Sequence, residues 1–148
     1  MRPAVIALTV WIGLSAAPAR LGAQAPPAVP AAATDYRFGA ATGMLVFHVH
    51  RDRTGDFEQV MTRIATGLRA TSSQMRQEQA AGWRFFKARD ASDAVVYVVI
   101  VDPVVRDADY DPVKMLTEFV PSEAAALYER LRLAVVRVER LELDPVMR

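Results

Sequence analysis

The strongest constraint on the fold of this chain is a run of eight residues, 94–101, that reads AVVYVVIV. Branched and aromatic residues in such a run predict a β-strand, and because side chains alternate along a strand, this one is apolar on both faces. An antiparallel sheet with one face in water alternates apolar and polar residues instead. We therefore expect both faces of the sheet around this strand to be covered.

Three further strands are predicted from similar runs, at residues 44–50, 83–89 and 136–143. Residues 90–93 form a tight polar link between the second and third strands. In the first strand, MLVFHVH, side chains alternate between two faces. One face carries Leu45, Phe47 and Val49, and the other carries Met44, Val46, His48 and His50.

Helices are predicted before and after the middle pair of strands. Thr54 caps the first helix, which has an apolar stripe at three- and four-residue steps. The stripe consists of Phe57, Val60, Met61, Ile64, Ala65 and Leu68. A short polar helix follows and is closed by Gly82. Asp111 and Pro112 form a cap and first-turn pair for a second helical region, which Pro121 kinks or splits.

The predicted order is β-α-β-β-α-β, the ferredoxin-like pattern of the α+β class. It implies a four-stranded antiparallel sheet with its helices on one face. The opposite face then exposes the second set of apolar residues on the strands, and a large exposed apolar patch marks an interface. The simplest cover is a second copy, sheet against sheet, in a two-fold homodimer of the dimeric α+β barrel type.

The first 25 residues have the pattern of a secretory signal peptide. Arg2 precedes an uncharged apolar run at residues 4–17, and Ala23 and Ala25 are both suited to cleavage. The cut after Ala23 is preferred, because a cut after Ala25 would leave Pro26 as the first residue. The alternative is a membrane anchor, but a spanning helix needs about 20 apolar residues.

This pattern divides the chain into three parts. Residues 1–25 are the signal peptide, residues 26–41 are a Pro/Ala-rich tether, and residues 42–148 are the ferredoxin-like domain. We therefore expect a periplasmic or secreted protein with no membrane span after cleavage.

Composition excludes several classes of function. The chain has 18 basic and 17 acidic side chains, which argues against a nucleic-acid partner. It has no cysteine, so it has no disulfide, no thiolate metal site and no cysteine nucleophile. No Gly-rich phosphate loop and no Gly-x-Ser-x-Gly elbow occur. The only histidines, His48 and His50, lie on one strand, which disfavours a hydrolase triad.

Over residues 43–143, the chain resembles the dimeric α+β barrel superfamily, which includes antibiotic-biosynthesis-monooxygenase-like proteins. The resemblance rests on element order, domain size and the doubly apolar strand. A closer resemblance is to small uncharacterised secreted bacterial proteins. It rests on the segments AAGWRFFKA, VIVDPVV and ADYDPVKML, at residues 80–88, 99–105 and 108–116. The superfamily implies a homodimer with a ligand or substrate cavity between helices and sheet. Its members include cofactor-free oxygenases, haem enzymes, isomerases and stress proteins, so the fold selects no activity.

Candidate pocket residues share polar or aromatic character at predicted strands and one loop. They are His48, His50, Trp83, Phe85, Lys87, Tyr97 and Tyr110. The aromatic residues either line a cavity or pack as core and interface, and Lys87 either binds an anion or is a solvated charge on an edge strand. The Trp-Asn set of some cofactor-free oxygenases cannot be carried over, because the chain has no asparagine. We assign no catalytic residue.

A metal site is a further alternative. His48 and His50 share a face of the first strand, and Asp52 continues that face if the strand runs on. Such a set could hold a divalent metal. The alternative is a polar strand end without a ligand, and we expect no cofactor. Haem is disfavoured, because none of the predicted helices contains a histidine.

Three hypotheses about function remain open. The first is a non-enzymatic homodimeric domain that binds a small apolar ligand or a partner in the cell envelope. The second is a cofactor-independent monooxygenase-like or isomerase-like enzyme on a small aromatic or quinone-like molecule, and the third is metal binding through His48 and His50. A solid core with His48 outside it disfavours the second and third. A cavity lined by His48, Lys87 and Tyr97 favours the enzyme.

Overall fold

The computed structural model describes residues 36–88 and 94–146. The predicted signal peptide, most of the predicted tether and the link at residues 90–93 lie outside these ranges. No helix within the described ranges is long and apolar enough to cross a membrane. The elements, in chain order, are β1 (Thr42–Val49), α1 (Thr54–Ala70), α2 (Gln74–Gly82), β2 (Trp83–Lys87), β3 (Val95–Val101), α3 (Pro112–Phe119), α4 (Ala124–Ala134) and β4 (Val135–Leu143).

The four strands form one antiparallel sheet in the order β2-β3-β1-β4. With its four helices, the domain belongs to the α+β class and is compatible with a ferredoxin-like fold. The short polar helix is present as α2, and the second helical region is split, as predicted, between α3 and α4 around Pro121. The break occurs there because proline cannot donate the backbone hydrogen bond that would continue a helix.

Side-chain alternation on β1 follows the prediction. Leu45, Phe47 and Val49 are fully buried, whereas the residues between them are partly exposed. The buried face of β3, consisting of Tyr97, Val99 and Val101, packs in the same core. From α1 this core receives five of the six residues of the predicted stripe, namely Phe57, Val60, Met61, Ile64 and Leu68, whereas Ala65 is partly exposed. The helices therefore complete a core on one face of the sheet.

Two helix starts differ in how closely they match the sequence prediction. The cap at Asp111 is confirmed, because its side chain accepts a hydrogen bond from the Val113 amide at 2.8 Å and Pro112 is the first residue of α3. Thr54 does not cap α1 but is its first residue. A 3-10 turn at Arg51–Arg53 leads directly into the helix, so the backbone is already helical at Thr54.

Residues 36–41, at the end of the predicted tether, pack against the domain. Phe38 is buried and its ring lies 5.5 Å from that of Tyr110 in an edge-on contact. The Val104 amide donates to the carbonyl of Ala41 at 2.8 Å, and the Tyr110 amide donates to the carbonyl of Tyr36 at 3.0 Å. These contacts hold the loop between β3 and α3 against the start of β1.

The other face of the sheet is rich in apolar side chains, and none of the described helices packs over it. Directly paired residues of an antiparallel sheet point to the same side. Phe86, Val98 and Val46 form one such row across the sheet, and Ile100, Met44 and Leu141 form the next. We call this surface the open sheet face. Its apolar residues are Met44, Val46, Phe86, Val96, Val98, Ile100 and Leu141, and it also carries His48, Arg84, Arg137 and Glu139.

Candidate functional site

Three of the predicted pocket residues come together where β2 and β3 meet the start of α1. The rings of Phe85 and Tyr97 are stacked, with centroids 5.5 Å apart and planes at 10°. Phe57 of α1 closes the cluster, with its ring 4.8 Å from that of Tyr97 and 6.1 Å from that of Phe85. Lys87 lies beside them, with its Nζ 5.3 Å from the centre of the Tyr97 ring. Aromatic packing fills this part of the core.

The polar atoms of this cluster converge on the carboxylate of Glu58, a residue of the first helical turns of α1. The Tyr97 hydroxyl donates to Glu58 Oε1 at 2.5 Å, and Lys87 Nζ donates to the same oxygen at 2.9 Å. The Tyr97 ring is buried, while the Glu58 and Lys87 side chains are about half exposed. One carboxylate thus satisfies both a buried hydroxyl and an edge-strand ammonium.

These hydrogen bonds shift the three pKa values in consistent directions. The bonds from Tyr97 and Lys87 lower the pKa of Glu58 below its usual 4.5. The bond to Glu58 raises the pKa of Lys87. Burial, together with the hydrogen bond to Glu58, raises the pKa of Tyr97. Each group is therefore held in its ordinary ionisation state at neutral pH, which suits a structural clamp better than a general acid or base.

We predict that Glu58→Gln changes the acid dependence of stability. Because the pKa of Glu58 is lowered on folding, its ionised form stabilises the fold above pH 4.5, and this contribution is lost as the pH falls through its folded-state pKa. The free-energy difference between wild type and variant should therefore shrink on acidification. Urea unfolding from about pH 7 to about pH 3 measures it.

Two tyrosine variants complete this experiment. Tyr97→Phe removes the strongest bond to Glu58 and should reduce the same pH dependence. Tyr128→Phe removes an exposed hydroxyl of α4 that makes no contact with Glu58, and it should reproduce the wild-type profile. Identical pH profiles for Glu58→Gln and the wild type would contradict the clamp.

Trp83 and Tyr110 form a second aromatic pair, at the opposite end of β2. Their rings are stacked with centroids 6.4 Å apart, and the Tyr110 hydroxyl accepts a hydrogen bond from the Val105 amide at 2.9 Å. Burial raises the pKa of Tyr110. The indole Nε1 of Trp83 is buried and has no hydrogen-bond partner among the described residues. These two residues support the loop between β3 and α3.

The histidines lie elsewhere. His48 pairs with Val96, so its side chain is on the open side of the sheet, while its neighbour Phe47 points into the core. His48 Nε2 is 2.9 Å from Glu139 Oε1 and 3.0 Å from Arg137 Nη2, and those two residues also form an ion pair at 2.8 Å. The sheet thus separates His48 from the cluster around Tyr97.

The predicted metal set is dispersed because β1 ends before it is complete. The strand stops at Val49, His50 is exposed, and Asp52 lies in the 3-10 turn that follows. The alternation that would have aligned these residues is lost there. Across the described ranges, no group of three or more His, Cys, Asp or Glu residues is placed to hold a metal ion.

Two cavities in the described part of the chain lie at the loop between β3 and α3. One, of about 600 Å³, is lined by Phe38, Gly39, Ala40, Ala41, Val104, Arg106 and Asp107. The other, of about 570 Å³, is lined by Glu78, Ala81, Pro103, Val104, Val105 and Arg106. Neither is between helices and sheet, and Arg106 contributes to both.

Phe85, Lys87 and Tyr97, three of the candidate pocket residues, lie together, and sequence reasoning missed Glu58, the hydrogen-bond acceptor beside them. Glu58 is in the first turns of a helix, where a carboxylate is already explained by the helix dipole. Arg106 was missed because nothing in a lone arginine of a loop distinguishes it from a solvated charge. Comparison of the chain with protein-family models, curated proteins and solved structures gave no match.

Proposed function

We propose that this chain is an exported, non-catalytic protein whose domain works as a homodimer of the dimeric α+β barrel type. In this dimer the open sheet face of one copy packs against the same face of a second copy. The apolar character of that face is the observation that carries the proposal. Export follows from the signal peptide predicted at residues 1–25 and would place the dimer in the periplasm or outside the cell.

The open sheet face has the composition of an interface. Its centre consists of Met44, Val46, Val98 and Ile100, which are partly exposed although they lie on the two central strands. At its margins Phe86 is 50% exposed and Leu141 is 41% exposed. A contiguous apolar surface of this kind is more stable when a macromolecular partner covers it than when it is exposed to water.

The charges on this face favour a second copy as the partner. Arg137, Glu139 and His48 stand together at one end, and they bond to one another. Arg137 and Glu139 neutralise each other within one copy, and Arg84, the other basic residue on the described strands of this face, lies on the edge strand β2 and is exposed to water. The centre of the face therefore presents no unpaired charge to a second copy. A two-fold axis also brings apolar residues of one copy onto the same kind of residue in the other.

The area of the face fits a reversible dimer. Four strands about 4.8 Å apart and seven paired residues at about 3.4 Å per residue give about 450 Å² on each copy. Two copies would bury about 900 Å², which is at the low end of specific interfaces. We therefore expect exchange between monomer and dimer at low protein concentration.

The helix-covered side supports a binding role over catalysis. The rings that would line a cavity there pack against one another instead: Phe85 is stacked on Tyr97, and Phe57 meets both at a tilt. The polar groups beside these rings, the Glu58 carboxylate, the Lys87 ammonium and the Tyr97 hydroxyl, are bonded to one another. His48 is on the other side of the sheet, and the Glu58 carboxylate already accepts two hydrogen bonds on one oxygen.

Size-exclusion chromatography with light scattering on the full chain tests the proposal. We expect twice the monomer mass at high protein concentration and a decline toward the monomer on dilution. A monomer at every concentration would contradict it. A chain that is monomeric alone at every concentration and gains mass only with a component of an envelope extract would assign the open sheet face to that partner instead.

A further inference from the structure

The tip of the loop between β3 and α3 holds two opposite charges that have no partner. Among the described residues, the side chains of Arg106 and Asp107 make no hydrogen bond or ion pair, either with each other or with another residue. Both line the cavity of about 600 Å³. This is unlike most other charges of the domain, including Arg76, Lys87, Lys114 and Arg140, which are paired.

The backbone around this tip is fixed on both sides. The amides of Val104 and Val105 donate to the Ala41 carbonyl and the Tyr110 hydroxyl, at 2.8 and 2.9 Å. The Ala108 amide closes a turn by donating to the Val105 carbonyl at 3.2 Å, and Asp107 adopts a φ of 62° within that turn. The hydrogen-bonded backbone therefore holds residues 106 and 107 in place beside the cavity, so that no backbone ordering is needed on binding.

Hydrogen bonds from α2 also hold the part of the loop that follows the turn. Arg76 Nη1 and Gln79 Nε2, both from α2, donate to the carbonyl of Asp109 at 2.9 and 3.2 Å. Gln79 is fully buried, which makes this anchor part of the core. The loop is therefore a preorganised element although it is on the surface.

The remaining side chains that line the cavity are uncharged. Phe38, Ala40, Ala41 and Val104 form the wall beside the two charges. A purely anionic ligand of Arg106 would be repelled by Asp107, and a purely cationic ligand of Asp107 would be repelled by Arg106. A ligand that carries both charges and a short apolar group satisfies all of these features.

We propose that this cavity binds a zwitterionic α-amino acid with an apolar side chain. The ligand carboxylate pairs with the Arg106 guanidinium and the ligand ammonium pairs with the Asp107 carboxylate. Its side chain lies against Phe38 and Val104. This site does not include residues of the open sheet face, so this proposal is tested independently of dimerisation.

Amide chemical shifts in NMR spectra of the full chain, titrated with L-valine, L-leucine and L-phenylalanine, test the proposal. We expect saturable shifts centred on residues 104–107 for at least one of the three. Arg106→Gln and Asp107→Asn should each weaken binding about tenfold, because each removes one charged hydrogen bond. Asparagine tolerates a positive φ, so the second variant keeps the turn.

Matched ligands and a matched variant complete the design. 4-Methylpentanoate lacks the ammonium of leucine, 3-methylbutylamine lacks its carboxylate, and each should bind about tenfold more weakly than leucine. Arg132→Gln removes an exposed arginine that lines neither cavity and should bind as the wild type does. No saturable shift with any of the three amino acids, or equal affinity in Arg106→Gln, would overturn the proposal.

Discussion

Phe86→Asp is expected to convert the dimer into a monomer. Phe86 is on the edge strand β2, points to the open sheet face and is 50% exposed in the isolated chain, so its ring contributes little to the fold of one copy. Its loss removes about 1.5 kcal/mol of binding free energy from apolar burial per copy, or about 3 kcal/mol per dimer. The dimer should therefore associate about 100-fold more weakly. The buried carboxylates weaken it further.

Leu133→Asp is the matched control for this variant. Leu133 is 47% exposed on α4 and does not belong to the open sheet face, so the same change in polarity should leave the dimer intact. Light scattering over a dilution series compares the three proteins. Equal dissociation constants for Phe86→Asp and the wild type would exclude the open sheet face as the interface.

Phe57→Ala is expected to have the largest effect on stability. Phe57 is fully buried, and its ring contacts those of Phe47, Phe85 and Tyr97 at centroid distances of 5.2, 6.1 and 4.8 Å. Truncating such a ring leaves a cavity and costs about 3–5 kcal/mol, which is a large part of the stability of a small domain. Urea unfolding monitored by circular dichroism, at one protein concentration, measures the loss.

Two other substitutions calibrate this result. Phe57→Leu keeps most of the volume and should cost less than about 1.5 kcal/mol. Leu133→Ala removes exposed apolar surface and should change the free energy of unfolding by less than about 0.5 kcal/mol. If Phe57→Ala were no less stable than Phe57→Leu, the aromatic cluster would not be the tightly packed core described above.

The sequence predicted the elements well because their periodicities are strong. The alternation on β1 and the stripe on α1 each locate a buried face, and both are found where expected. Pro121 and the Asp111-Pro112 pair fix helix ends through local chemistry alone. The weaker signals were less reliable. Thr54 is inside the helix because the preceding 3-10 turn depends on how the chain leaves β1.

The candidate site depended more on packing. Phe85, Lys87 and Tyr97 are together because β2 and β3 pair with Lys87 opposite Tyr97, and a hairpin fixes that register. Glu58 joins them from α1, and it is too far from Tyr97 in the sequence for a local pattern to predict this contact. His48 and Tyr97 were placed in one candidate pocket, yet the register puts them on opposite faces of the sheet.

The sequence by itself determined which segments are strands and helices, and that β3 is apolar on both faces, because these properties follow from residue order and the geometry of an extended chain. The tertiary structure decided how that excess of apolar residues is used. One face of β3 packs under α1 in a filled aromatic core, and the other remains part of the open sheet face. It also decided which charges are paired, since Glu58 meets Lys87 only through the fold, while Arg106 and Asp107 meet no partner within residues 36–88 and 94–146. Ion pairing depends on the three-dimensional distance between side chains, and the spacing of residues along the sequence does not give that distance.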